Sequence, residues 1–191
     1  VALLHASVGP RATTDVVTWV LAQLQEVEVE EHGQLFINGL EKLLAKQPSA
    51  VLPIVLSRLT DPGEDGYTKM QLQGLSSLAV IPDAHMVHRH LSDVLPVMIN
   101  VASDDEADED LRESALDSAT RVMDRVEQSG LNLLFAELIS AIKDENSGSR
   151  RAAGVRLFER FFERTSLDVV SVLGIALPAV LPPALADSNP E

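Results

Sequence analysis

The sequence predicts an all-α chain, an α-solenoid of about five helical hairpins with the first one incomplete, and three observations point to it. Leu, Val and Ala dominate while aromatics make up 4% of the 191 residues, a balance suited to helix-on-helix packing rather than to a β-sandwich. Apolar residues recur at three- and four-residue steps along most of the chain. The stretch from Asp104 to Leu157 spells out two amphipathic helices and then starts again in the same wording. Acids lead into Leu111, Arg112 and Ala115, and later Asp144 leads into Ser149, Arg150, Ala152 and Ala153. Such units bury a continuous core by stacking on their neighbours.

Each element follows from its own residues. Val1 to Ser7 are expected to be the last turns of a first helix, stopped by Gly9 and Pro10. Its partner starts after Thr13, Thr14 and Asp15 and carries Val16, Val17, Trp19, Val20, Leu21 and Leu24, with an acidic bridge from Glu26 to Glu31. The next helix opens near Glu30 and places Leu35, Phe36, Leu40, Leu43 and Leu44 on one face, and a second runs from Ala50 to about Thr60 with Pro53 in its first turn. Asp61, Pro62 and Gly63 end it. A weaker stripe of Met70, Leu72, Leu75, Leu78 and Ala79 is interrupted by Gly74, and after Pro82 and Asp83 a helix from about Met86 to Val101 turns Leu91, Val94, Leu95, Met98 and Ile99 inward, with Pro96 bending it. Leu111, Ala115, Ala119, Val122 and Val126 then face Leu131, Leu134, Phe135, Leu138 and Ile142 across the Ser129–Gly130 break. A final pair joins Ala153, Leu157, Phe158, Phe161 and Phe162 to an apolar helix from about Leu167 to Leu185, which Pro178, Pro182 and Pro183 are expected to kink.

The acids Glu26, Asp61, Asp104, Asp144 and Asp187 recur at steps of 35, 43, 40 and 43 residues. Tetratricopeptide and ankyrin units hold close to 34 and 33, whereas HEAT units run to about 40–47 with looser spacing, so the period favours HEAT. The chain divides on this reading into units of approximately 1–27, 28–62, 63–104, 105–145 and 146–187 of a single array.

Composition excludes several functions. The chain has no cysteine, which removes disulfide frameworks, thiolate zinc sites and cysteine nucleophiles and favours an intracellular compartment. A net charge of −14 gives no general attraction to phosphate backbones or anionic lipid. The first residues carry no basic targeting segment, and the chain has the look of a piece cut from something longer at both ends. Apolar faces at Val1 to Leu4 and along Leu177 to Leu185 are then expected to give end-to-end self-association of the isolated piece.

The strings AVLPIVLSRLT from Ala50, LSSLA from Leu75, RHLSDVLPVM from Arg89 and LPPALADSNP from Leu181 resemble, in order, repeats of the general control non-derepressible translational activator family. The acidic run at Asp104 to Asp110 is longer than that family's pattern, and the Pro182–Pro183 pair departs from it. The resemblance implies a cytoplasmic HEAT array that associates with ribosomes and promotes phosphorylation of initiation factor two alpha by the amino-acid-starvation kinase. It places the kinase-docking segment downstream of Glu191 and carries no functional residue onto this chain. Alternatives are a HEAT segment of a transport receptor or phosphatase regulatory subunit, or the HEAT region of an elongation-factor-three-like ATPase.

Few constellations carry chemistry. Arg150, Arg151, Arg156, Arg160 and Arg164 form the one basic surface and are the candidate partner contact, for ribosomal RNA or an acidic protein. Glu159 and Glu163 stand within reach of three of them on the same helix, which makes a salt-bridged outer face the plainer expectation. His85, His88 and His90 match no zinc motif, and the run from Asp104 to Asp110 lacks the glycine and the twelfth-position Glu of a calcium loop. Those carboxylates are expected to sit at the positive end of the next helix. The apolar run from Leu167 to Ala186 is expected to be a core helix rather than a membrane span. No phosphate loop, nucleophile elbow or zinc-protease pair appears, so no catalytic residue, cofactor or metal is expected.

Overall fold

A computed structural model describes residues 10–26, 30–63 and 66–186. The described residues are helical with no strand, apart from one isolated bridge between Gly63 and Gly66. The chain forms two compact units, Val1–Pro82 and Asp83–Glu191. The helix tail expected at Val1 to Ser7 lies outside the described residues, as does the apolar face at Val1 to Leu4.

In the first unit, α1 (Pro10–Glu26) packs on α2 (Glu30–Lys46) and α3 (Pro48–Leu59), and α3 packs on α4 (Lys69–Ser76), which continues as a tight turn over Ser77–Val80. Helix α1 begins at Pro10, because proline lacks only a donor that the first turn would leave unused. Thr13, expected in a cap, is therefore inside the helix and buried, its hydroxyl donating to Gln47 Oε1 at 3.1 Å. The α1 stripe is Val17, Val20, Leu21 and Leu24, whereas Trp19, grouped with them in the sequence, is 57% exposed and stacks edge-on against Phe36. On α2 the buried stripe is Gly33, Ile37, Leu40 and Leu44, and Leu35, expected inside, is 69% exposed. Helix α3 starts at Pro48, two residues before the expected Ala50, so Pro48 takes the first position and Pro53 lies in the second turn on the exposed side.

Gly74 is a packing residue. A Cβ there would stand 2.6 Å from Leu59 Cδ1, so the glycine lets α3 approach α4 closely. The start of α4 is fixed by reciprocal bonds: Thr68 Oγ1 accepts from Gln71 N at 3.2 Å and Gln71 Oε1 accepts from Thr68 N at 2.9 Å.

The second unit holds α5 (Ala84–His88), α6 (Leu91–Ala102), α7 (Glu109–Met123), α8 (Leu131–Ile142), α9 (Gly148–Arg164) and α10 (Val170–Ala186). The helix expected over Met86–Val101 is thus two, separated at Arg89–His90. Helices α6 and α3 share a pattern: Val94, Leu95 and Met98 are buried around Pro96 as Val51, Leu52 and Val55 are around Pro53. Packing is most extensive between α6 and α7 and between α8 and α9, while α7 and α8 barely touch. The hairpins close through the loops at 103–108 and 143–147, and not across Ser129–Gly130 as the sequence pairing supposed. Because α6 also lies beside α8, α8 beside α10 and α7 beside α9, the unit has two layers, α6–α8–α10 and α7–α9. Helix α10 runs unbroken through Pro178 and Pro182, with Leu177 and Leu181 exposed. Among the described residues no helix is long and apolar enough to cross a membrane.

Candidate functional site

The charged surface of the α7–α9 layer is where the sequence places its candidate contacts. Both helices begin on a side-chain cap: Asp108 accepts from Leu111 N at 2.6 Å, and Ser147 accepts from Arg150 N at 3.0 Å. The acidic run that precedes α7 is a solvated turn, in which Asp104 accepts from Glu106 N at 2.9 Å and Asp105 accepts from Ser149 Oγ at 2.8 Å. A second Asp-centred turn precedes α9, where Asp144 accepts from Asn146 N at 2.9 Å and Ser147 N at 3.0 Å.

The five arginines divide among these features. Arg150 pairs with Asp144 at 3.3 Å and donates to Asn100 Oδ1, and Arg151 donates to the Asp144 carbonyl at 2.9 Å. Arg160 bonds Asp117 at 2.9 Å and Glu113, and Arg164 grips Asp124 through two nitrogens at 3.1 and 2.5 Å. These acids belong to α7 and the turn after it, so the bridges cross between neighbouring helices. Partial burial works against the Arg160 charge, but the bonds and charges of Glu113 and Asp117 outweigh it and raise its pKa; Asp124 raises that of Arg164. Exposed pairs contribute little stability singly, so their main effect is to fix the lateral register of α9 on α7. Arg156 is exposed on the same layer and borders a groove of about 310 Å³ with Asp105, Glu109 and Glu113.

The histidines serve a different purpose. His88 is buried, and its Nε2 accepts from Glu127 N at 3.1 Å, which fixes the ring proton on Nδ1. Gly130 leaves room for the ring, since a Cβ there would lie 2.6 Å from it. His90 instead bonds Asp93 at 2.8 Å at the surface. Among the described residues no three His, Asp or Glu side chains gather to hold a metal ion.

Burial and the neighbouring His85 hold the His88 pKa below its ordinary 6.5, against the smaller upward pull of Glu127 and Asp83. The unfolded chain therefore takes up this proton at a higher pH than the folded one. This contribution to stability is fully present above pH 6.5 and is lost as pH falls from there through the lowered folded-state pKa. Denaturant midpoints at pH 7.5 and 5.5 should show this loss, and His88→Gln should flatten it; an unchanged slope in the variant would remove His88 as the cause.

A family model described as stalled ribosome sensor GCN1-like HEAT repeats matches residues 51–191. The stalled ribosome sensors GCN1 of Mus musculus and Homo sapiens are each 26% identical over 170 residues, 89% of this chain. The eIF-2-alpha kinase activator GCN1 of Saccharomyces cerevisiae is 26% identical over 164 residues, 84% of the chain. In each case the chain spans about 6% of the relative's length. No solved structure matches it significantly.

Proposed function

Because the chain belongs to the family of GCN1-like HEAT repeats, we propose that it is a non-catalytic scaffold segment of a ribosome-associated translational activator that promotes phosphorylation of initiation factor two alpha by its starvation kinase. The observation that carries this reading is the use of charge on the α7–α9 layer. Arg160 and Arg164 spend their donors on acids of α7 and the turn after it, an arrangement that maintains spacing between neighbouring helices. The names of the yeast and mammalian relatives supply the kinase and the ribosome. Protein partners, a cytoplasmic setting and kinase docking outside this segment belong to the same proposal.

The full-length parent is expected to co-sediment with ribosomes at low salt, and its failure to do so would sink the reading. Reversing Arg156, Arg160 and Arg164 to Glu in that parent separates two roles for the stripe. Unchanged sedimentation with a lowered melting temperature is the result expected of an internal ladder. Lost sedimentation with an unchanged melting temperature would assign the arginines to a direct contact with rRNA or an acidic protein.

A further inference from the structure

We propose that Ser103 is a phosphoacceptor for an acidophilic serine/threonine kinase, one whose substrate cleft is lined with basic side chains. Among the described serines and threonines, Ser103 alone is followed by carboxylates at each of the next three positions, Asp104, Asp105 and Glu106. All three are exposed, and they present the negative charge such a cleft selects.

The local structure suits the reaction. Ser103 is the C-terminal cap of α6, half-buried, and its hydroxyl donates at the solvent surface to the Asn100 carbonyl at 3.0 Å. The turn after it lies at the surface, held within itself by bonds such as Ala107 N to the Asp104 carbonyl at 3.2 Å and tied to α9 by the Ser149 hydroxyl on Asp105 at 2.8 Å. In the transfer, Ser103 Oγ forms a bond to the γ-phosphorus of ATP, the β–γ bridging bond breaks, ADP leaves and the hydroxyl proton passes to the kinase's base.

The product's charge has a place to go. A phosphate at a helix C-terminus meets the negative end of the dipole, which is unfavourable. Two guanidinium groups already attach to this turn: Arg150, from α9, on the Asn100 side chain, and Arg112 on the Asp104 carbonyl at 3.5 Å. A phosphate with three strong acceptors competes for both, and capture of Arg150 ties the α6–α7 hairpin more firmly to α9.

The test incubates the 191-residue chain with an active acidophilic kinase and Mg·ATP, then maps the phosphate by peptide mass spectrometry. The expected result is one phosphate on Ser103, none taken up by Ser103→Ala, and slower uptake when Asp104, Asp105 and Glu106 are changed to their amides. No incorporation into the wild-type chain, or equal incorporation into Ser103→Ala, overturns the proposal.

Discussion

Replacing Phe135 by alanine is expected to destabilise the second unit by about 3–5 kcal/mol, the range for truncating a buried aromatic. Phe135 is 3% exposed on α8 and meets three rings of α9 edge-on, those of Phe158, Phe161 and Phe162, with centroids 5.5, 5.6 and 6.0 Å away. Its removal leaves a void between the two helices that backbone ladders prevent from closing, and it deletes the central ring of the cluster. Denaturant unfolding of the isolated chain measures the loss. A change below about 1 kcal/mol would mean that α8 and α9 do not share this interior.

Gly154→Leu is expected to destabilise the same pair of helices by the opposite route. A Cβ at this position would lie 3.0 Å from Ala141 Cβ, 3.0 Å from Ile142 Cγ1 and 3.1 Å from the Ile142 backbone nitrogen. The last of these cannot rotate away, so a branched side chain must separate α9 from the end of α8. Overpacking of this kind costs about 1–3 kcal/mol and sometimes more. Gly154→Ala is the control. Its gain in helix propensity of about 1 kcal/mol over glycine offsets the tight contact, so its midpoint should stay near the wild-type value. Equal midpoints for the leucine and wild-type chains would contradict the close approach.

Much of the fold was readable where an apolar stripe admits a single register. On α7 and α8, spacing alone picks out Ala115, Ala119, Val122, Leu134, Phe135 and Leu138, all buried. It fails on α1 and α2, where runs such as Val16 to Leu21 fill every face and leave the register to the neighbours; Trp19 and Leu35 fall outside as a result. The capping pair of Thr68 and Gln71 was present in the sequence as a Thr followed three residues later by Gln, a signal that marks the start of α4.

Pairing was the harder problem. An amphipathic stripe tells that a helix has a buried side, but not which helix covers it, and the acidic loops and the Ser129–Gly130 break carry equally good turn residues. The same limit applied to the arginines. Sequence offers Arg160 only the acids of its own helix, whereas Glu113 and Asp117 lie 47 and 43 residues away and come together with it only when α9 packs on α7. The buried role of His88 likewise depends on Glu127 and Gly130, some forty residues distant.

Cross-linking a chain that contains no natural cysteine tests the stacked-hairpin architecture most directly. Cysteines at Ala141 and Gly154 should join α8 to α9 on mild oxidation, since that pair needs to open only slightly to reach the usual disulfide separation of about 3.5–4.5 Å between Cβ atoms. Cysteines at Ala115 and Leu138, on α7 and α8, should stay reduced. Bridging of the second pair and not the first would contradict the hairpin arrangement and the scaffold role built on it.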